Sequence, residues 1–204
     1  MTYPYTILLA SASPRRHEIL TQAGIPHRIL TAPADERAVP FPEGAPGEYV
    51  MSLAKLKNDA VRDAYPEDCA DSILLSADTV VWSPRLGTPL GKPKDRDDAV
   101  RMLRALSGTS HLVVTGVMLR SSNARTGRVR ESLFAEETEV FFRELGEDEI
   151  ERYVESGDPM DKAGAYGIQS GACAFVRWIR GDYFNVVGLP VCRVVEELTR
   201  LMNP

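Results

Sequence analysis

Short all-apolar runs and stretches with helical spacing divide this chain into elements. Residues 7–10 (ILLA) are apolar throughout and predict a buried strand. Ser13 then offers an N-cap, Pro14 suits the first helical position, and Ile19, Leu20 and Ala23 supply an apolar face that Gly24 stops. Residues 26–31 predict a second strand, leading into a Pro/Gly-rich loop over residues 32–47 that carries Asp35, Glu36 and Arg37. From about residue 48 to 65 the spacing predicts a long helix with Val50, Leu53, Ala54, Ala60, Val61 and Ala64 inward. Lys55 and Lys57 are expected off that stripe.

Residues 72–82 (SILLSADTVVW) are apolar and β-branched apart from Asp78, the pattern of a central strand. A turn, the stretch LGKPKD, and a helix opening on Asp95, Asp97 and Asp98 and closing before Gly108 follow. Residues 111–120 and about 132–144 predict a long strand pair joined through SSNARTG, and residues 147–156 a short helix. The segment 157–171 (GDPMDKAGAYGIQSG) has too much glycine for regular structure and too much charge for filler, so an ordered functional loop is expected. Residues 172–179 and 183–188 suggest closing strands, and Pro190 opens a final helix with Val191, Val194, Val195, Leu198 and Leu201 inward.

At 204 residues and 44% hydrophobic content the chain can form one substantial α/β domain or two lobes sharing a core. With 24 Lys and Arg against 29 Asp and Glu, the net charge of −5 gives no global electrostatic support for binding nucleic acid or an anionic membrane. Any anion site has to be local. Cys69, Cys173 and Cys192 have neither zinc-ligand spacing nor the even count of a disulfide framework, which suggests reduced thiols. Ala10–Ala12 resembles a signal-peptide cleavage site, but no Lys or Arg precedes it and the apolar run is short. No segment reaches the roughly 18 apolar residues of a membrane span. A cytoplasmic protein with no membrane partner is expected.

The stretch LLASASPRR places Ser11, Ser13, Arg15 and Arg16 where a strand becomes a helix, and a helix start with adjacent cations suits a phosphate. The same residues also fit an ordinary Ser-Pro cap with surface arginines. GTPLGKPK is not a P-loop, because three residues separate Gly87 from Gly91 and Pro93 follows Lys92. Lys92 could meet a phosphate as a point charge or be a solvated loop lysine. A carboxylate in an apolar strand is costly unless paired, metal-bound or protonated, so Asp78 faces a ligand crevice or caps a turn or pairs with an arginine. His17, His27 and His111 lack metal-ligand spacing, and no Ser or Cys pairs with a histidine in a nucleophile motif.

Seven blocks in one order, LLASASPRRHEIL, EYVMSLAKLKNDA, SADTVV, LGKPKD, MLRALSGTSHLVVTGV, DPMDKAGAYGIQ and GDYFNVVGLP, resemble the Maf family of nucleoside triphosphate pyrophosphatases across essentially the whole chain. The resemblance implies a single domain over residues 1–204, an α/β fold with an elongated mixed sheet and two lobes around a central cleft, similar to inosine triphosphate pyrophosphatases. It implies a cut between the α and β phosphates that depends on a divalent metal, Mg²⁺ or Mn²⁺, and a homodimer. The forms SPRR, ADT and DKAGAYGIQ resemble the branch acting on dTTP and UTP.

By position, the resemblance makes Asp78 the proton acceptor and Glu36, Lys55 and Lys92 the other catalytic polar residues, with Glu36 and Asp78 able to hold the metal. Arg15, Thr79 and Gln169 match positions linked to substrate choice; Ser11, Arg16 and Lys162 fall in motif blocks. Two departures stand out: APADER is a loose version of the family's acidic loop, and Ser170 stands where glycine is common.

An ordinary aspartate, with a pKa of about 3.9, is a poor base at neutral pH, so Asp78 needs an apolar setting or a metal-bound water. A Gln side chain can accept from N3–H of uracil or thymine while donating to a ring carbonyl, which nominates Gln169 as the base reader. Two further readings stand beside this one: a nucleotide-binding regulator of cell division with incidental hydrolysis, and a pyrophosphatase for sugar nucleotides or damaged purines.

Overall fold

The computed structural model describes residues 5–123 and 126–202. In chain order the elements are β1 (Thr6–Leu9), α1 (Pro14–Gln22), β2 (His27–Ile29), α2 (Pro46–Ala64), α3 (Pro66–Cys69), β3 (Ser72–Trp82), β4 (Pro89–Leu90), α4 (Arg96–Leu106), β5 (Ser110–Asn123), β6 (Arg128–Phe142), α5 (Glu147–Glu155), β7 (Val176–Arg180), α6 (Tyr183–Val187) and α7 (Val191–Met202). Short 3-10 turns at Glu36–Ala38, Asp158–Asp161, Ala163–Ala165 and Gly171–Ala174 occupy the loops.

The fold is α/β. Its seven-stranded sheet runs β2-β1-β3-β5-β6-β7, with β4 beside β3. β1 pairs parallel with β2 and β3, and every later pairing is antiparallel, so the sheet is mixed. β3 is central, as its apolar run requires: Ile73, Leu74, Leu75 and Ala77 are buried.

Helix α2 lies directly on this sheet at Gly116 of β5, where a Cβ would come within 2.3 Å of the Val50 carbonyl group. In the β3–β5 register Asp78 faces Gly116, so the helix crosses the sheet at the level of the carboxylate. Asn58 seals the contact from inside the helix: its amide donates to Leu74 O and Ser76 Oγ at 3.2 Å each, and its oxygen accepts from Arg120.

Two apolar clusters share the sheet. One gathers Ile7, Leu20, Ile73, Val117 and Leu198 around β1, α1 and α7. The other gathers Val81, Leu103, Phe142, Ile150 and Phe175 around α4 and α5. Ile168 packs against both.

Several expectations need correcting. Residues 183–188 are helix α6 followed by Gly188, not a strand: Asp182 caps the Phe184 N–H at 2.7 Å and the Asn185 side chain donates to Val113 O and Thr138 Oγ1. A positive φ of 129° at Gly181 turns the chain out of β7 immediately before it. On α2, Asn58 is inside and Ala64 is exposed. On α1, Arg16 rather than Ala23 joins Ile19 and Leu20 in the interior. The strand pair β5–β6 is longer than expected, and Ala124 and Arg125 of its connection lie outside the described residues.

Candidate active site

A cleft of about 740 Å³ opens where the two apolar clusters meet, with Val187 from one and Val81 and Val113 from the other in its wall. Every residue nominated from the sequence lines it except Lys55: Ser11, Arg15 and Arg16 from the β1–α1 junction, Glu36, Asp78 and Thr79, Lys92, and Lys162 and Gln169. Lys57 and Asp161 join them. A chain of net charge −5 thus gathers Arg15, Arg16, Lys57, Lys92 and Lys162 in one place.

The floor is set by Asp78 on β3. Its Oδ1 accepts from Lys57 Nζ at 2.5 Å, and the same ammonium lies 3.1 Å from Glu36 Oε1. Asp78 is therefore a paired carboxylate, not one isolated among apolar side chains. Tyr49, also on α2, feels this pair: burial pushes its hydroxyl pKa up, and the negative charges of Asp78 and Glu36 push it further.

Lys55 is the correction. It is exposed and pairs with Asp59 at 2.7 Å, away from the cleft. Lys57 comes two turns after Val50, in phase with Val50, Ala54 and Val61 at helical spacing, so it points at the sheet where Lys55 points at solvent. The signal was present in the sequence: Lys57 sits within the apolar stripe and not off it.

The β1–α1 junction leaves the start of α1 open. Ser13 makes no side-chain cap, and the Ser11 hydroxyl accepts from the Ser13 N–H at 3.3 Å and from Arg16 Nη1 at 3.0 Å. The residues that open α1, Ser13 to Arg16, line the cleft, which puts the partial positive charge of a helix start at its edge. Arg16 is a tie: it also donates to Gly188 O at 2.9 Å and Thr79 Oγ1 at 3.0 Å, joining the junction, β3 and the segment after α6. Burial lowers its pKa, with Asp78 opposing. Thr79 passes the contact to Thr115 at 3.0 Å, which donates to Asn185 O.

Arg15 reaches across to the 157–171 loop, where Nη1 meets Asp161 Oδ2 at 2.9 Å; Lys162 meets the other carboxylate oxygen at 2.6 Å. Burial pushes the Asp161 pKa up, but the bonds from Lys162 and Arg15 outweigh it and hold it at about 2. Lys92 and Gln169 are exposed in the cleft and bond to no side chain among the described residues. The Lys92 loop is fixed from behind, since Gly91 O accepts from the Gly164 N–H at 3.0 Å.

A cleft whose rim is a helix start beside Arg15, Lys92 and Lys162 and whose floor is a carboxylate pair can seat a polyphosphate and deliver a base or a cation to one phosphorus. Among the described residues no group of three or more His, Cys, Asp and Glu gathers to hold a metal. Asp78 and Glu36 are the pair available for one.

The family model of Maf-like proteins matches residues 6–201. The chain belongs to the Maf family. Within it, this member is 47% identical to the dTTP/UTP pyrophosphatase of Geobacillus sp. (strain WCH70) over 96% of this chain and 97% of that one. It is 47% identical to the dTTP/UTP pyrophosphatase of Symbiobacterium thermophilum over 97% and 95% of the two chains, and 46% to that of Bacillus cereus (strain G9842) over 94% and 93%. The crystal structure of a nucleoside-triphosphatase / dITP/XTP pyrophosphatase from Mycobacterium abscessus overlaps 97% of this Maf chain and 98% of its own at a TM-score of 0.40 and 15% identity. Among the described residues no helix is long and apolar enough to cross a membrane.

Proposed function

We propose that this Maf protein hydrolyses UTP and dTTP between the α and β phosphates, giving the nucleoside monophosphate and pyrophosphate, with Mg²⁺ or Mn²⁺ as cofactor. The observation that carries the reading is the meeting of Asp78, Glu36 and Lys57 on the cleft floor beside the open end of α1. The names of the relatives at 47% identity supply the nucleotide class.

Mg²⁺ takes one or two carboxylates together with waters and phosphate oxygens. Lys57 engages one oxygen of each of Asp78 and Glu36 and leaves the second oxygen of each as a hard donor, which fits; these two residues would hold the cation. When bound, such a cation neutralises charge on the departing pyrophosphate and eases ionisation of a water.

The chain's own residues do the rest. Arg15, Lys92 and Lys162 and the N–H groups at the start of α1 hold the phosphate tail, which requires Arg15 and Lys162 to exchange Asp161 for phosphate oxygens. Asp78 accepts the proton of the attacking water as its oxygen bonds to the α phosphorus. The bond from that phosphorus to the bridging oxygen breaks, and pyrophosphate leaves with the electron pair. Lys57 holds both carboxylates in place and offsets their mutual repulsion. Gln169 accepts from N3–H of uracil or thymine and donates to a ring carbonyl, a pattern that cytosine and adenine, which carry an acceptor ring nitrogen beside an amino group, do not present.

The test is product identification by anion-exchange chromatography after incubating UTP, dTTP, CTP, GTP and ATP with the protein and Mg²⁺. UMP and dTMP with pyrophosphate are expected. Release of orthophosphate, or equal turnover of all five nucleotides, would overturn the reading.

A further inference from the structure

Gln169 stands in a four-residue turn, Gly167 to Ser170, closed by the Ser170 N–H donating to Gly167 O at 3.1 Å. Its first corner, Ile168, is packed between the two apolar clusters. Its second corner, Gln169, is exposed in the cleft. Both ends of the turn are bound to one pair of side chains. Tyr153, buried on α5, accepts from the Gly167 N–H at 3.2 Å and donates its hydroxyl to Asp158 Oδ2 at 2.6 Å. The Ser170 hydroxyl donates to the same Oδ2 at 2.5 Å.

Asp158 is held from its other side as well. Lys162 Nζ lies 2.5 Å from its carbonyl oxygen and 3.1 Å from Oδ1. A Cβ on Gly167 would come within 2.6 Å of Lys162 Cε and of Ser170 Oγ, so the turn has no room to slide toward its support. Burial opposes ionisation of Asp158, but the bonds from Ser170, Tyr153 and Lys162 prevail and lower its pKa, keeping the acceptor charged. Burial and the neighbouring Asp158 raise the pKa of Tyr153, keeping the phenol a donor.

We propose that Tyr153 and Asp158 are positioning residues that set base selectivity by fixing the turn from which Gln169 reads the nucleotide. This rests on the reading of Gln169 given above. A side chain with no partner of its own is only as selective as the backbone that aims it, since a hydrogen-bonding pair loses most of its discrimination when it is free to move by about 1 Å. Ser170 adds a second bond to the carboxylate, so the turn is bound at both ends. Through its bonds to Asp158 and Gly167, Tyr153 would let α5, outside the cleft, bear on substrate choice.

The experiment measures kcat and KM for UTP, dTTP and CTP in the full-length Tyr153→Phe, Asp158→Asn and Ser170→Ala variants, beside Gln169→Ala. Tyr153→Phe and Asp158→Asn are expected to reduce the UTP-to-CTP ratio of kcat/KM by about tenfold, through a rise in KM for UTP larger than any fall in kcat. Asp158→Glu, which keeps the charge, recovers part of the ratio. Ser170→Ala removes one bond from the surface of the hub and, in case the buried substitutions unfold the chain, is expected to lower the ratio by itself. If Gln169→Ala abolishes selectivity while the Tyr153, Asp158 and Ser170 variants keep it, the positioning role is wrong and the base reader stands. If Gln169→Ala keeps selectivity, the base reader and the positioning role both fall.

Discussion

Lys57 on α2 and Asp78 on β3, next to Gly116 of β5 where the helix crosses the sheet, meet at 2.5 Å on the floor of the cleft. The contact exists because Lys57 is in phase with the buried residues of α2, and the helix is pressed close enough for a lysine to reach the strand beneath it. It gives a direct contrast between two lysines in one helical turn. Lys57→Met should lower kcat for pyrophosphate release by about 100-fold, since it leaves two carboxylates facing each other without their cation. Lys55→Met, which removes only an exposed pair with Asp59, should stay within about twofold. Steady-state assays on UTP decide; the reverse order would restore Lys55 to the site.

Gly116→Ala is expected to act on stability and on the site together. The added Cβ would meet the Val50 carbonyl group at 2.3 Å, and backbone cannot yield as a flexible side chain can. A cost of about 3 kcal/mol or more is expected from urea unfolding. The helix has to rise from the sheet to relieve the clash, so residual folded protein should also lose turnover as Lys57 leaves Asp78. A variant with wild-type stability would show that α2 does not sit on the strand as described.

Arg16→Lys separates charge from geometry. Lysine keeps the cation but cannot bond Ser11, Thr79 and Gly188 together, as the guanidinium does. A loss of about 2–4 kcal/mol in stability is expected, together with reduced turnover, because the junction that opens α1 to the cleft is no longer tied to β3. Unchanged urea midpoints would mean that Arg16 is not a structural tie.

His111 is buried, bonds Tyr166 through Nε2 at 2.9 Å, and burial drives its pKa down to about 3. Above pH 6.5 the ring is neutral in folded and unfolded chains alike and contributes no pH dependence. As the pH falls below 6.5 the unfolded chain binds a proton that the folded one refuses until about pH 3, so folding weakens throughout that window. Between pH 7 and 5 the loss should be about 2 kcal/mol. His111→Phe should flatten this part of the stability curve; an unchanged slope would assign it to other groups.

Much of this was legible in the residues because single positions carried strong constraints. Asp78 stood out because a carboxylate inside residues 72–82 has to be answered by a partner, and Ser13-Pro14 marked the start of α1 because few other positions accept that pair. What could not be read depended on contacts between segments far apart in the chain. The need for glycine at position 116 arises only from Val50, which the fold brings against it. Residues 183–188 carry β-branched side chains, yet Asp182 and Asn185 find hydrogen bonds in a helix that local propensity does not anticipate. The hub at Tyr153 and Asp158 joins α5 to a loop, and neither segment alone signals that the other's hydroxyl or carboxylate is in reach. Lys57 is different: its phase was readable, and matching it to the stripe of Val50, Ala54 and Val61 would have placed it inward.

The most direct test is pyrophosphate release from UTP in Mg²⁺ by the wild-type protein and by Asp78→Asn, with UTP binding measured in parallel by calorimetry. Asparagine keeps the shape of the side chain but cannot take the proton of a water or hold a cation as a carboxylate does. Turnover should fall by a factor of about 100 to 10,000 while UTP still binds. Turnover within about threefold of wild type would contradict a reaction centred on Asp78.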